Sequence, residues 1–166
     1  KTAYEIKECD WSSDVCSSDL IYKDGRFKFL LFGRWDYRKS IKEVIEAFLK
    51  TFDPSEPVDL IVSIDNPWGQ SSDGMKTTEE RLEYHGLMDP RIKILHFPSR
   101  EDYVKILKTG HVFVSCSRSE GWNLPLIEAM ACGTPSIYSD CSGQLEFRSE
   151  EHTSELQSHS FISYAV

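Results

Sequence analysis

Strand-like apolar runs alternate with helix-like segments five times along this chain, and this alternation constrains its fold more than any other feature. The first run, Phe27 to Phe32, is apolar throughout, which is typical of strands covered on both faces of a parallel sheet. The other predicted strands are Val58 to Ile64, Arg91 to Phe97, His111 to Cys116 and Pro135 to Tyr138. Because strands that alternate with helices of about 10 to 13 residues favour crossover connections, we predict an α/β fold with a doubly wound parallel sheet.

Most of the predicted helices carry a recognisable start signal. Ser40 and Glu43 have the spacing of a capping box before the first helix, and Thr77 and Glu80 have it before the second. Ser99 is placed as the N-cap of the third helix. These signals predict where each strand-to-helix loop ends.

The stretch Ser119 to Pro135, SEGWNLPLIEAMACGTP, joins the fourth strand to the last helix. Pro125 falls in the first helical turn, where its missing N–H and fixed φ are tolerated, and Gly133 marks the end. Glu120 then lies in the loop and Glu128 about one turn inside the helix, so both carboxylates are expected near its amide-rich N-terminus. Four apolar residues form the predicted stripe against the sheet: Leu126, Ile127, Met130 and Ala131.

Ligands of such sheets bind beyond the carboxyl ends of the strands, so the loops there form the candidate site. The loop after the first strand carries Gly33, Arg34 and Lys39, and two cations near a helix N-terminus suit a diphosphate. Glu120 and Glu128 would repel phosphate at contact range, but a carboxylate can accept two hydrogen bonds from the vicinal diol of a ribose or hexose. The loop after the fourth strand also carries Ser117, Gly121, Trp122 and Asn123. Together these loops predict a sugar-nucleotide site.

Composition argues against several other functions. Residues 21–147 contain 16 Lys and Arg against 19 Asp and Glu, a formal charge of −3 (16 − 19), without a basic run. Because Lys and Arg dominate affinity for nucleic acid, no nucleic-acid partner is expected. No run approaches the roughly 18 to 20 apolar residues of a membrane span, so no transmembrane segment is expected. The cysteines of this range form no Cys-x-x-Cys pair, which indicates a reduced, cytoplasmic setting.

Residues 1–20 and 148–166 do not have the pattern of a folded protein. Asp10 to Leu20 and Arg148 to Ser158 are polar, without helix or strand periodicity, and they resemble translated products of a sequencing-library adapter. Codons can be chosen so that the two segments are reverse complements of each other. We therefore expect both ends to be adapter-derived artefact, with residues 1–20 disordered, and we assign residues 21–147 to the folded domain. Natural disordered tails are the alternative.

The core resembles the C-terminal, donor-binding domain of GT-B glycosyltransferases of the GT4 type, the glycosyl transferases group 1, which have an E-x7-E motif. GRWDYRKS, which begins at Gly33, is similar to the family's Gly-Arg-x4-Lys loop. SRSEGWNLPLIEAMACGTPSI, from Ser117, is similar to the family's S-x-x-E-G-x-x-L-P-x-x-E-A-M-A-x-G-x-P stretch. SDCSGQLEF, from Ser139, resembles its D-x-x-G-x-x-E turn. The resemblance covers nearly all of residues 21–147 and implies the Rossmann-like half of a GT-B enzyme.

The resemblance also implies a role for each matching residue. Arg34 and Lys39 would hold the donor diphosphate and neutralise the leaving group, so that no metal ion or other cofactor is required. Glu120 would bind the hydroxyls of the transferred hexose, Glu128 the nucleotide ribose, and the backbone N–H groups from Gly121 to Leu124 the phosphates. The implied catalytic residues are Arg34, Lys39 and Glu120, and the implied donor-binding residues add Gly33, Gly121, Trp122, Asn123, Leu124 and Glu128. The family's retaining reaction is thought to be a front-face displacement, without a protein nucleophile.

A GT-B enzyme also has an N-terminal domain that binds the acceptor, and residues 1–20 do not supply it. We therefore expect a fragment of a retaining glycosyltransferase that transfers a hexosyl group from an NDP-sugar to a sugar, lipid or glycan acceptor. The isolated fragment is expected to bind donor weakly and to be inactive. Its parent is expected to be cytoplasmic or peripheral at the inner membrane face, and the nucleotide base is expected near His96 to Ser99.

Three other interpretations stay open. A non-catalytic nucleotide-binding module would need the same donor loops but no acceptor domain. A sugar-nucleotide epimerase of GT-B architecture would share the fold but departs from the E-x7-E pattern. A response-regulator receiver has the same kind of sheet, but it clusters acidic residues after its first strand, where this chain has Gly33 and Arg34.

Overall fold

The structure of the chain, a computed structural model, describes residues 25–65, 74–96 and 99–147, with the backbone alone for 145–147. Within these residues five strands form one parallel sheet in the order β3-β2-β1-β4-β5. The strands are β1 (Phe27–Phe32), β2 (Val58–Ser63), β3 (Ile92–Ile94), β4 (Val112–Ser115) and β5 (Ser136–Tyr138). The chain crosses from one side of β1 to the other between β3 and β4, so the predicted doubly wound parallel sheet is confirmed.

Four α-helices connect the strands: α1 (Ile41–Thr51), α2 (Thr78–Tyr84), α3 (Arg100–Thr109) and α4 (Leu124–Ala131). Two 3₁₀ segments, Tyr37–Lys39 and Ser142–Phe147, lie before α1 and after β5. No helix in the described ranges is both long enough and apolar enough to cross a lipid bilayer.

Both faces of the sheet are covered, which explains the continuous apolar run of β1. Leu31 packs into a core that includes Ile45 of α1 and Leu82 of α2. Leu30 and Phe32 pack into the opposite core, which α3 and α4 cover. Because successive side chains of a strand point to opposite faces, a strand between two helical layers needs apolar residues at nearly every position.

Two of the predicted helix starts are confirmed. The Thr77 hydroxyl accepts from the Glu80 backbone N–H at 3.1 Å, and the Glu80 carboxylate accepts from the Thr77 N–H at 3.4 Å, a complete capping box for α2. The Ser99 hydroxyl accepts from the Asp102 N–H at 3.1 Å at the start of α3. The local cap signals therefore predict correctly where these two helices begin.

The predicted capping box of Ser40 and Glu43 is wrong. Ser40 has φ 52° and ψ 33°, in the left-handed region, and its side chain makes no hydrogen bond to the start of α1. The same residue ends the preceding 3₁₀ segment, where its N–H donates to the Tyr37 carbonyl at 3.3 Å. An N-cap needs an extended backbone to direct its oxygen at the first helical N–H groups, and this turn removes that conformation.

The predicted boundaries and faces also differ in detail from the structure. Helix α4 buries Leu126 and Ala129, with Met130 against the same core, whereas Ile127 and Ala131 are only partly buried. The third strand is shorter than its predicted range, and residue 97 of that range lies outside the described residues. Three residues of β3 pair with β2, and β3 lies at one edge of the sheet.

Candidate functional site

The loops after β1 and β4 meet where the strand order of the sheet reverses. β1 pairs in parallel with β2 on one side and with β4 on the other, so the carboxyl ends of these strands open at one edge. From that edge the chain leaves β1 toward the α1 face and β4 toward the α4 face. Open α/β sheets bind ligands at such a switch point, and both loops predicted from the sequence lie there.

The loop after β1 is a short 3₁₀ turn that places two cations side by side. Asp36 caps this turn by accepting from the Lys39 backbone N–H at 2.8 Å. The stem of Lys39 lies over Gly33, where an added Cβ would be 3.6 Å from Lys39 Cδ. The turn thereby directs the side chains of Arg38 and Lys39 at the loop after β4.

The carboxylate of Glu120 forms ion pairs with both of these cations. Lys39 Nζ lies 2.6 Å from Glu120 Oε1, and Arg38 Nη1 lies 2.8 Å from Oε2. The side chain of Glu120 is only 7% exposed and that of Lys39 only 11%, so water screens this pair weakly. Burial acts to raise the pKa of Glu120, but the hydrogen bonds from Lys39 and Arg38 outweigh it, and the pKa lies below its ordinary value. Glu120 is therefore an ionised carboxylate at neutral pH.

Arg34 is not brought to Glu120. Its Nε and Nη2 both lie 3.1 Å from Asp36 Oδ2, within its own loop. The side chain is 44% exposed. Of the two cations predicted to hold a diphosphate, Lys39 reaches the centre of the site, and Arg34 would reach a ligand only by sharing or leaving Asp36.

The residues from Gly121 to Leu124 lead into the N-terminus of α4 with unpaired amides. Within the part of the chain that the structure describes, no acceptor is bonded to the N–H groups of these four residues. The side chains of Trp122 and Leu124 are mainly exposed. Unpaired N–H groups at a helix N-terminus favour an anion through hydrogen bonding and the helix dipole.

The side chain of Asn123 is buried beneath this loop and holds it through hydrogen bonds. Its φ of 46° is left-handed, a conformation that Asn tolerates better than most residues. Its Nδ2 donates to Ser115 Oγ at 2.9 Å and to Gln144 Oε1 at 2.8 Å, and the whole residue is buried. The predicted donor-binding residue Asn123 thus offers a ligand its backbone and not its side chain.

The segment after β5 holds the backbone of Glu120. Ser142 Oγ accepts from the Glu120 N–H at 3.0 Å and donates to the Glu120 carbonyl at 2.8 Å. The Gly143 N–H donates to the same carbonyl at 3.1 Å, and a Cβ on Gly143 would lie 1.7 Å from the Gly121 carbonyl oxygen. No side chain fits at Gly143, which is the glycine of the D-x-x-G-x-x-E resemblance. The side chain of Glu146, from the same turn, lies outside the described residues.

Glu128 has separate partners, on α3. Its Oε2 accepts from the Tyr103 hydroxyl at 2.7 Å, and its Oε1 lies 2.9 Å from Arg100 Nη1. The Glu128 side chain is one-third exposed. The two glutamates of the E-x7-E spacing are therefore held by different elements, Glu120 by the loop after β1 and Glu128 by α3.

The sequence did not assign Arg38, Arg100 or Tyr103 to the site. Arg38 directly precedes Lys39, and this adjacency was the available signal. Arg100 and Tyr103 are three positions apart in a predicted helix, which places them on one face. Nothing in the sequence pattern indicates that this face meets Glu128.

His96 lies two residues after the end of β3, in the region predicted to approach the nucleotide base. Its Nε2 lies 2.8 Å from Glu79 Oε1 and its Nδ1 3.0 Å from Asp65 Oδ2. These two carboxylates raise the pKa of His96 above its ordinary value. Residues 97 and 98 of the predicted base loop lie outside the described residues.

Comparison with known families assigns the chain to one of them. The family model described as glycosyl transferases group 1 matches residues 18–156, which is most of the sequence. The chain belongs to the glycosyl transferases group 1 family. The family model thus spans both loops in which the sequence resembles the Gly-Arg-x4-Lys and E-x7-E motifs.

Curated relatives of this group 1 chain are themselves sugar-transferring enzymes by name. It is 29% identical over 126 residues to the alpha-monoglucosyldiacylglycerol synthase of Streptococcus pneumoniae, 72% of this chain and 26% of the relative. It is also 29% identical over 111 residues to the GDP-mannose:cellobiosyl-diphosphopolyprenol alpha-mannosyltransferase of Xanthomonas campestris, 67% of this chain and 28% of the relative. The chain spans about a quarter of the length of these relatives.

Solved structures share the fold of this domain. The Anabaena protein HepE in complex with UDP-glucose matches with a TM-score of 0.64 and 22% identity, over 81% of this chain and 36% of that one. The C-terminal domain of a glycosyl transferase group 1 family protein, LpcC from Francisella tularensis, matches with a TM-score of 0.53 and 27% identity, over 68% and 57%. The predicted fold of this group 1 domain, the Rossmann-like half of a GT-B enzyme, is confirmed.

Proposed function

We propose that this chain is the donor-binding domain of a retaining glycosyltransferase of the GT4 type, which transfers a hexosyl group from an NDP-sugar. The observation that carries the proposal is the pairing of Lys39 with Glu120 at the switch point of the sheet. A cation and a carboxylate in contact, beside unpaired amides, offer partners for both halves of a sugar diphosphate. Phosphate oxygens need the cation and the amides, and sugar hydroxyls need the carboxylate.

Lys39 and Arg34 are proposed to hold the diphosphate. Negative charge accumulates on the diphosphate as the glycosidic bond breaks, and a fixed cation stabilises that charge more in the transition state than in the bound donor. The unpaired N–H groups at the start of α4 add donors for the same oxygens. With these groups supplying the positive charge, we propose that the leaving group is neutralised without a metal ion or other cofactor.

Glu120 is proposed to bind the hydroxyls of the transferred sugar. Its carboxylate is buried and already bonded to Lys39 and Arg38, so its direction is fixed before any ligand arrives. A carboxylate retains further lone pairs after two such bonds, and these can accept from sugar hydroxyls. Glu128 is proposed to bind the nucleotide ribose in the same way.

The names of the relatives support this assignment. The Xanthomonas campestris relative is named for GDP-mannose as donor and for an alpha-mannosyl product. GDP-mannose is itself an α-glycosyl diphosphate, so that name describes transfer with retention of configuration. We propose the same stereochemistry here, by displacement on one face of the sugar without a protein nucleophile.

We further propose that the acceptor, a sugar, lipid or glycan, is bound by a second domain. This chain spans about a quarter of its relatives, and transfer in a GT-B enzyme occurs between two domains. The parent enzyme is proposed to be cytoplasmic or peripheral at the inner membrane face. The 166-residue chain alone would then bind donor weakly and transfer nothing.

Nucleotide titration tests the proposal directly. We expect one of UDP, GDP and ADP, with its sugar conjugate, to bind the chain, and we expect Arg34→Ala and Glu128→Ala to weaken that binding. Losing one charge-assisted hydrogen bond costs about 1.5 to 3 kcal/mol, roughly tenfold or more in Kd. Isothermal calorimetry measures the change.

Two substitutions on the exposed face of α1 serve as matched controls, Lys50→Ala for the cation and Glu46→Ala for the carboxylate. Both should leave Kd unchanged. The proposal is wrong if the folded chain binds none of the nucleotides, or if the control and site substitutions weaken binding equally.

A further inference from the structure

Tyr103 links the core of the domain to Glu128. Its hydroxyl donates to Glu128 Oε2 at 2.7 Å across the gap between α3 and α4. Nothing in the family motifs or the relatives' names assigns this tyrosine a role.

The ring of Tyr103 packs against the core on one side and contacts Arg100 on another. Its centroid lies 5.5 Å from that of Phe32 in the core between the sheet and the α3 and α4 helices. The Arg100 guanidinium lies 5.2 Å from it on another side. Burial and the bond to Glu128 raise the pKa of Tyr103 far above its ordinary value, so the hydroxyl keeps its proton as a donor.

Tyr103 and Arg100 contact different oxygens of the Glu128 carboxylate. Oε2 is bonded to Tyr103 and Oε1 to Arg100, so each oxygen keeps a further lone pair. The Arg100 side chain is 67% exposed, and such a partner restrains a carboxylate weakly. The partly buried tyrosine is therefore the firmer of the two contacts to the carboxylate.

Resting on the proposed function, we infer that Tyr103 is a positioning residue that orients Glu128 to accept both hydroxyls of the nucleotide ribose. A bidentate contact requires the two carboxylate oxygens to face the 2′ and 3′ hydroxyls together. Rotation of the carboxylate about its last torsion would leave one hydroxyl without a partner. Tyr103 therefore contributes to the preference for a nucleotide with an intact diol.

A purely structural role for Tyr103 makes a different prediction. If the bond only ties α3 to α4, its loss would weaken the binding of every nucleotide by the same factor. If it positions Glu128, its loss would weaken only those nucleotides that carry the diol. The ratio of two affinities measured on the same variant separates these cases, because a change in the folded fraction cancels in the ratio.

The test compares the 166-residue chain with its Tyr103→Phe variant, which retains the ring and removes only the hydroxyl. Each protein is titrated with UDP, GDP and ADP, and with the 2′,3′-dideoxy analogue of the nucleotide that binds. We expect Tyr103→Phe to weaken the ribose nucleotide about threefold to tenfold and to leave the dideoxy analogue unchanged. Tyr84→Phe, on the exposed face of α2, is the matched control and should change neither.

Glu128→Gln separates failure of this inference from failure of the proposed function. If the unaltered chain prefers the ribose nucleotide and Glu128→Gln abolishes that preference, but Tyr103→Phe retains it, the positioning role alone is wrong. Equal weakening of both ligands by Tyr103→Phe also overturns the positioning role. If no nucleotide binds, or if Glu128→Gln leaves the preference intact, the proposed site itself is wrong and the inference is wrong with it.

Discussion

At the scale of single residues, the charges of the site are balanced before any ligand arrives. The Glu120 side chain is largely buried and contacts both Lys39 and Arg38, so neither the carboxylate nor the amine is left as an isolated buried charge. A diphosphate that entered would compete with Glu120 for the same cations. Under the proposed function, the cations would be shared between the diphosphate and the Glu120 carboxylate.

This pairing predicts a pH-dependent contribution of Glu120 to stability. Its pKa in the folded chain lies below the ordinary value of 4.5, so the charged form favours folding. That contribution is complete above the unfolded-state pKa and is lost as pH falls through the lower, folded-state pKa. We expect the difference in unfolding free energy between the chain and Glu120→Gln to be constant near neutral pH and to shrink as pH falls below 4.5. Urea unfolding across that range measures it.

Comparison with the variant isolates Glu120 from other carboxylates. Asp53, Glu79 and Asp89 also have lowered pKa values, but they titrate in both proteins and cancel in the difference. A difference that stayed constant or grew on acidification would contradict the ion pairing seen in the structure.

Residue chemistry could be predicted where a family motif names the residues, and not where a contact depends on packing alone. Lys39 and Glu120 were predicted to share a site, and the structure places them 2.6 Å apart. Arg38 was missed because the direction of its side chain depends on the 3₁₀ turn and on the left-handed Ser40 after it. Tyr103 was missed as a partner of Glu128 because their contact depends on how α3 packs against α4.

At the scale of elements, two identical local signals gave different structures. Ser40-x-x-Glu43 and Thr77-x-x-Glu80 both have the capping-box pattern, but only the second forms it. In the first, Ser40 ends the 3₁₀ turn that carries Lys39 and so has a left-handed backbone. Glu43 pairs with Arg118 instead, at 2.8 Å. Here the requirement of the site overrides the local helix signal.

The two caps therefore should differ in energy. We expect Thr77→Ala to destabilise the chain by about 1 kcal/mol, because the hydroxyl satisfies an otherwise unpaired helical N–H. Ser40→Ala should cost clearly less, since its hydroxyl makes no cap bond. Thermal or urea unfolding of both variants measures the difference, and an equal cost for the two would mean that Ser40 also caps its helix.

The boundaries of elements were harder to predict than their existence. Within the described residues, each of the five strands lies within or close to its predicted range, because apolar periodicity reports which residues must be covered. β3 is a three-residue edge strand, and periodicity reveals neither its length nor its place at an edge. Similarly, the buried face of α4 is set by packing at Leu126 and Ala129 as well as by spacing.

At the scale of the whole molecule, no single segment of the sequence predicts the order of the strands in the sheet. Alternating strands and helices predicted a doubly wound sheet, and the structure adds that β1 is central, with the switch between it and β4. That arrangement brings the loops of the two separate motifs to one edge. It also leaves the exposed Trp122 and Leu124 beside the site.

If transfer needs a second domain, the chain should bind donor without using it. We expect no release of NDP from the NDP-sugar that binds, and no glycoside in the presence of lipid-linked and free sugar acceptors. Coupled detection of NDP, with a two-domain glycosyltransferase as positive control, measures this. Donor binding in the same sample shows that the chain is folded, and a glycoside formed by the chain alone would contradict the proposed division of labour.

The contact of Arg38 with the Ser119 carbonyl spans 81 positions in the sequence, and this separation has a kinetic consequence. A contact between such distant residues closes a long loop, and the entropy of closure must be overcome before the contact contributes any stability. During synthesis β1, β2 and β3 emerge first and can pair while Arg38 and Lys39 still lack their carboxylate partner. The candidate site therefore assembles only when β4 docks beside β1, late in folding and not at its beginning.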